Sequence, residues 1–110
     1  MKIIIPSQEN SINSKTSEIF GRAPFFHLFN VSSGKYKLLE TIPNTFMNAK
    51  GGVGAMAAKM VAEKEVDVLI ANNVGPRAKD ALEQFDIKIT DAQETVLDSI
   101  TNFIKDHESN

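Results

Sequence analysis

The chain has 110 residues, 42% of them hydrophobic and 24% charged, with a formal net charge of -2 and no cysteine. That length supports one hydrophobic core and not two, and the composition is that of an ordinary globular domain rather than a disordered or membrane-embedded chain. Lysine and arginine are scattered, so there is no basic stripe for nucleic-acid phosphates, and the lack of cysteine removes disulfides, zinc–thiolate sites, thiol catalysis and the usual cluster ligands.

Ile3-Ile4-Ile5 is a short β-branched run of the kind found in a central strand buried on both faces. It is stopped by Pro6, too soon for a signal segment or a membrane span, so no membrane partner and a cytoplasmic location are expected. Ser7 to Ser17, with four serines, Asn10 and Asn13, reads as a mobile loop. Phe25 to Val31 and Tyr36 to Ile42 read as two strands joined at Gly34 as a hairpin. Pro43-Asn44 closes the second of these, and the loop that follows carries two apolar residues, Phe46 and Met47, which are candidates for a protein-interaction surface.

From Val53 the apolar period becomes helical, with Val53, Ala57, Met60 and Val61 on one face through Glu63. Asp67 to Ala71 is another buried-type strand. Asn72-Asn73-Val74-Gly75 then leads into a helix whose first turn holds Pro76, where a missing N–H costs nothing. Its apolar face is Ala78, Ala81, Leu82 and Phe85. Ile87 to Ile89 forms a short fifth strand, and Asp91, with Glu94 three residues on, reads as the cap of a last helix. The core stripe of that helix is Val96, Leu97, Ile100, Phe103 and Ile104. The expected organisation is one domain over residues 1–106 and a frayed tail over 107–110.

The order β-β-β-α-β-α-β-α, with right-handed crossovers, gives an α/β fold: a mixed five-stranded sheet of spatial order 3-2-1-4-5 with only strand two antiparallel. Strand direction then gathers four segments on one rim: Pro6-Ser7-Gln8, Phe20 to Pro24, Gly51-Gly52-Val53-Gly54, and Asn72 to Gly75. Open α/β sheets bind ligands at such an edge. Gly51, Gly52 and Gly54 expose backbone N–H groups at a helix N-terminus, Arg22 adds a fork of donors, and Asn72 and Asn73 add donors and acceptors. The chemistry of the rim suits an anion or a polar ligand. The same glycines also serve tight helix initiation, and the asparagines ordinary turn chemistry.

His27 lies mid-strand between Phe25 and Phe29, as a packing residue or a ligand. Met47, Met56 and Met60 read as gap-filling apolar residues. No Ser-His-Asp or Cys-His arrangement is visible, and Asp67, Asp86 and Asp91 occupy strand starts, turns and a cap, so no catalytic residue is assigned and a non-enzymatic role is expected.

Phe20-Gly21-Arg22-Ala23-Pro24-Phe25-Phe26, Gly51-Gly52-Val53-Gly54 and Val68 to Pro76, in this order, resemble the dinitrogenase iron-molybdenum cofactor biosynthesis family, the NifX-like group also found as the C-terminal domain of NifB. The resemblance implies a ribonuclease H-like fold and the binding or carriage of an iron–molybdenum or iron–sulfur cluster, with a protein partner in cofactor assembly. Ile3-Ile4-Ile5 carries no carboxylate, which argues against nuclease chemistry on that fold. Family members often have a histidine immediately before the Phe-Gly pair, where this chain has Ile19. The residues expected to contact the cluster are Arg22, Gly51, Gly52, Gly54, Asn72, Asn73 and His27, with direct metal ligands unassigned. The alternative reading is a small-anion or metabolite-binding regulatory module that has lost cluster handling.

Overall fold

The computed structural model describes residues 1–108, the side chain of Glu108 excepted. Five strands, β1 (Lys2–Ser7), β2 (Phe25–Ser32), β3 (Lys35–Pro43), β4 (Val68–Ile70) and β5 (Lys88–Thr90), form one sheet in the order β3-β2-β1-β4-β5. β1 pairs antiparallel with β2 and parallel with β4, β2 antiparallel with β3, and β4 parallel with β5. This is the α/β architecture and strand order that the sequence pattern implies. Ser33 and Gly34 both have positive φ, at 52° and 73°. They make the two-residue β2–β3 turn whose twist matches that of its strands.

Three helices cover the sheet: α1 (Val53–Glu63), α2 (Pro76–Gln84) and α3 (Val96–Glu108). The strand alternation sends Ile4, Phe26, Leu28 and Leu69 to one face, where they pack with Ala57, Ala58 and Val61 of α1 and with Ala78 and Leu82 of α2. Ile3, Ile5, Phe29, Val68 and Ile70 face the other way, onto Val96 and Ile100 of α3. Small residues on α1 and α2 let the two helices close up. A Cβ built on Gly54 would sit 3.5 Å from the Ala78 Cβ, ordinary van der Waals contact.

Several local expectations change. The Ser7–Ser17 segment is pinned rather than loose: the Gln8 N–H donates to the Lys15 carbonyl, Thr16 N–H to the Glu94 carbonyl and Ser17 N–H to the Pro6 carbonyl, and Ser14, Thr16 and Ser17 are buried. Composition alone hides this, because serine and threonine can satisfy backbone groups as readily as water can. The α3 cap is Thr95, whose Oγ1 accepts the Asp98 N–H at 3.0 Å, and not Asp91. The helix starts at Val96, which places Thr95 and not Asp91 at the cap position.

Phe85 belongs to the expected apolar face of α2 but is 63% exposed, because α2 ends at Gln84 and Phe85 is its C-terminal cap. Phe46 packs partly buried against the α1–α2 core, so it helps hold the β3–α1 loop instead of offering a free surface. The last helix runs through Glu108, so the first part of the expected frayed tail is helical, and 109–110 lie outside the described residues. Among the described residues no helix is long and apolar enough to cross a membrane.

Candidate functional site

The rim divides into two separate places. On the α1–α2 side, a cleft of about 490 Å³ is lined by Arg22, Gly51 to Ala55, and Gly75 to Ala78. On the α3 side, a polar groove of about 420 Å³ is lined by Gln8, Lys15, Thr16, Glu18, Asn72, Ala92, Gln93 and Glu94.

The cleft is built where two helices begin. α1 starts from Gly52, which sits in the left-handed region at φ 72° and gives no side-chain cap; α2 starts from Gly75 and is likewise uncapped by a side chain. The first intrahelical backbone bonds are Met56 N–H to Gly52 O and Lys79 N–H to Gly75 O, both 2.9 Å. The N–H groups of the preceding residues therefore lack helical acceptors. Neither helix has an acidic residue in its first turn, while Arg77 stands in the first turn of α2 and Arg22 beside the start of α1. A cation at a helix N-terminus is electrostatically unfavourable, so both arginines add to a positive potential that an anion would relieve. Val53, Ala55, Pro76 and Ala78 supply carbon surface between these charges.

A short 3-10 turn, Phe20–Arg22, closes one side of the cleft. Its Gly21 lies so near α1 that a Cβ there would fall 2.7 Å from the Gly54 nitrogen and 2.8 Å from the Val53 carbonyl carbon. Only glycine fits. Next to it, the Arg22 Nη1 donates to the carbonyls of Met47 and Ala49, at 2.8 and 3.0 Å. The exposed guanidinium thus anchors the β3–α1 loop, with its other N–H groups left for a ligand.

Arg22, Gly51, Gly52 and Gly54 come together in the cleft as the sequence motifs imply. Asn72, Asn73 and His27 lie elsewhere. The Asn72 Oδ1 accepts the Ala92 N–H at 3.0 Å and its Nδ2 donates to the Ala92 carbonyl at 3.5 Å, prolonging the β4–β5 pairing into the loops. Asn73, at φ 51°, donates from Nδ2 to the Glu18 carbonyl at 2.6 Å.

His27 is fully buried on the α3 side of β2. Its Nδ1 pairs with the Thr41 Oγ1 at 3.1 Å, and its Nε2 reaches the Glu9 carbonyl at 3.3 Å. That carbonyl also accepts from the hydroxyls of Ser7 and Ser14. These partners fit a neutral ring with the proton on Nε2. Burial pushes the His27 pKa below its ordinary value, partly offset by the Glu9 carbonyl bond.

Gly75 and Arg77 join the cleft without having been singled out as contacts from sequence. The signal was a cation one residue after the N1 proline, where a helix disfavours it. Among the described residues no group of three or more histidine, cysteine, aspartate or glutamate side chains is placed to hold a metal ion. The donors present fit an anion gripped by N–H groups and guanidinium.

The chain matches the dinitrogenase iron-molybdenum cofactor family over residues 1–106, and it belongs to that family. It is 34% identical over 98 residues to an uncharacterized protein of Methanocaldococcus jannaschii, covering 89% of this chain and 80% of that one. Among solved structures it is similar to a Thermotoga protein described as a NifB protein, with a TM-score of 0.76, 30% identity, and coverage of 94% of this chain and 87% of the other. It is also similar to the apo form of the orange protein of Desulfovibrio gigas, with a TM-score of 0.83, 26% identity, and coverage of 96% and 88%.

Proposed function

We propose that this protein is a non-catalytic carrier that holds an anionic metal–sulfur cluster, of the iron–molybdenum or iron–sulfur kind, in the α1–α2 cleft during cofactor assembly. The observation that carries the reading is the convergence of two uncapped helix N-termini, without first-turn carboxylates, on one cleft that also holds Arg22 and Arg77. Membership of the dinitrogenase iron-molybdenum cofactor family supplies the chemical class of cargo.

A cluster held this way is bound as an anion, by backbone N–H groups and arginine, with carbon surface against its less polar faces. Hydrogen bonds of this type release their cargo without breaking a metal–thiolate bond, which suits a carrier that must hand it to another protein. The carrier works in the cytoplasm, where its partner is an assembly protein. His27 takes no part in binding on this reading, and Asn72 and Asn73 serve by fixing the loops around the cleft. Anaerobic titration with ferrous iron, sulfide and tetrathiomolybdate, followed by desalting, absorption spectroscopy and iron and molybdenum analysis, tests this. Protein-bound metal near one cluster equivalent supports it, and protein that retains no metal at high concentration sinks it.

A second reading, a small-anion or metabolite-binding regulatory module, is favoured by one observation. Ile19, at the position where family members often carry histidine, is 54% exposed beside the Phe20–Arg22 turn. Thermal-shift measurements with phosphate-bearing metabolites on metal-free protein separate the two. A shift there, without metal retention, selects the second.

A further inference from the structure

Asn44, one residue past β3, has the look of a strand terminator, yet its side chain joins two segments that wall the cleft. It is only 8% exposed. Its Nδ2 donates to the carbonyls of Gly21 and Ala23, at 3.2 and 2.8 Å, while its Oδ1 accepts the Phe46 N–H at 3.0 Å. Its own N–H donates to the Pro24 carbonyl at 2.9 Å. With both amide protons given away and the oxygen engaged, the carboxamide has one orientation. Arg22 answers from the opposite segment with its two bonds to the Met47 and Ala49 carbonyls. Each segment therefore holds the other's backbone by a side chain of its own.

We infer that Asn44 is a positioning residue for the cleft, fixing Gly21 against the first turn of α1 and thereby aiming the Arg22 guanidinium and the Gly54 N–H at an anionic ligand. The inference rests on the reading of the cleft as the ligand site. The mechanical link is Gly21. It packs against Val53 and Gly54 with no room for a Cβ, which would fall 2.7 Å from the Gly54 nitrogen, and close-packed backbone transmits a small displacement instead of absorbing it. Arg22 follows Gly21 directly in the chain. Loss of the Asn44 donors leaves two carbonyls without their partner and frees the turn to move away from α1.

The test uses Asn44→Ser and Asn44→Asp, the second keeping the shape and the Phe46 acceptor while removing both donors. In ligand-free wild type, the Asn44 side-chain protons exchange slowly with solvent. In Asn44→Ser, the amide resonances of Gly51, Gly52 and Gly54 and the Arg22 Nε–H resonance shift, while those of α3 stay in place. With tetrathiomolybdate as probe, Asn44→Ser binds about tenfold more weakly at pH 7 with cooperative unfolding retained, Asn44→Asp binds at least as weakly because it also adds a negative charge, and the Asn44→Ser loss shrinks to about threefold or less when Arg22→Ala is already present.

Fast exchange of the wild-type Asn44 protons, unmoved glycine resonances, or a loss that adds fully to that of Arg22→Ala overturns the positioning role. Wild-type protein that binds no tetrathiomolybdate, with slow Asn44 exchange and shifted glycine resonances, overturns the ligand reading of the cleft and leaves the clamp as a fold element only.

Discussion

Gly21 and Gly54 touch backbone to backbone, so close that a methyl on Gly21 would lie 2.7 Å from the Gly54 nitrogen. The contact is lopsided. A methyl on Gly54 meets only the Ala78 Cβ, at 3.5 Å. Gly21→Ala is therefore expected to destabilise the protein by about 1–3 kcal/mol, as overpacking against rigid backbone does. Gly54→Ala gains helix propensity and is expected to be neutral or stabilising by up to about 1 kcal/mol. Chemical denaturation of the two variants checks the pair, and equal losses would contradict the geometry.

His27 gives the protein a pH dependence with a definite sign. Its folded-state pKa is lowered by burial, so the unfolded chain binds the proton more readily than the folded one. Stability from this group is fully present above its unfolded value of about 6.5 and is lost as pH falls through the lower folded value. The difference in unfolding free energy between pH 7.5 and pH 5.5 should be smaller in His27→Gln than in wild type. An unchanged difference would mean that the ring is not held neutral.

Thr95, as the α3 cap, makes a side-chain bond that Asp91 does not. Thr95→Ala should cost about 1 kcal/mol, and Asp91→Ala, at an exposed position, should stay within about 0.5 kcal/mol of wild type. Thermal unfolding of both variants decides which residue caps the helix.

Arg77 separates binding from stability. It lies at the positive end of α2, and among the described residues no carboxylate pairs with it, the ion pair seen being Lys64 with Glu40. Arg77→Ala should leave the metal-free protein as stable as wild type or slightly more so, by roughly 0.3 kcal/mol, while weakening tetrathiomolybdate binding. A fall in thermal stability together with unchanged binding would assign Arg77 a structural role instead.

The sheet order was legible because its evidence is local: β-branched runs for β1 and β4, Gly34 for the hairpin, Pro76 for the start of α2. The glycine and Phe-Gly-Arg motifs likewise led to the cleft, since strand direction alone decides which loops share an edge. What stayed hidden depended on partners far away in the chain. Asn72 and Asn73 look like rim donors until Ala92 and Glu18 occupy them. The serine-rich Ser7–Ser17 segment looks loose until the Val96 and Leu97 N–H groups of α3 donate to its Ser14 and Ile12 carbonyls and the Glu94 carbonyl accepts its Thr16 N–H. Asn44 carried no sequence signal beyond its place after a proline, because its role lies in two carbonyls more than twenty residues back.

The most direct test of the cleft as the cluster site is an amide NMR map of the protein before and after anaerobic loading with iron, sulfide and tetrathiomolybdate. If the cleft holds the cluster, resonances of Arg22, Gly51, Gly52, Gly54, Arg77 and Ala78 shift or broaden while those of Asn72, Gln93 and the α3 groove persist unchanged. Loaded protein whose perturbed amides centre on the α3 groove or on His27, with the cleft glycines unmoved, would contradict it.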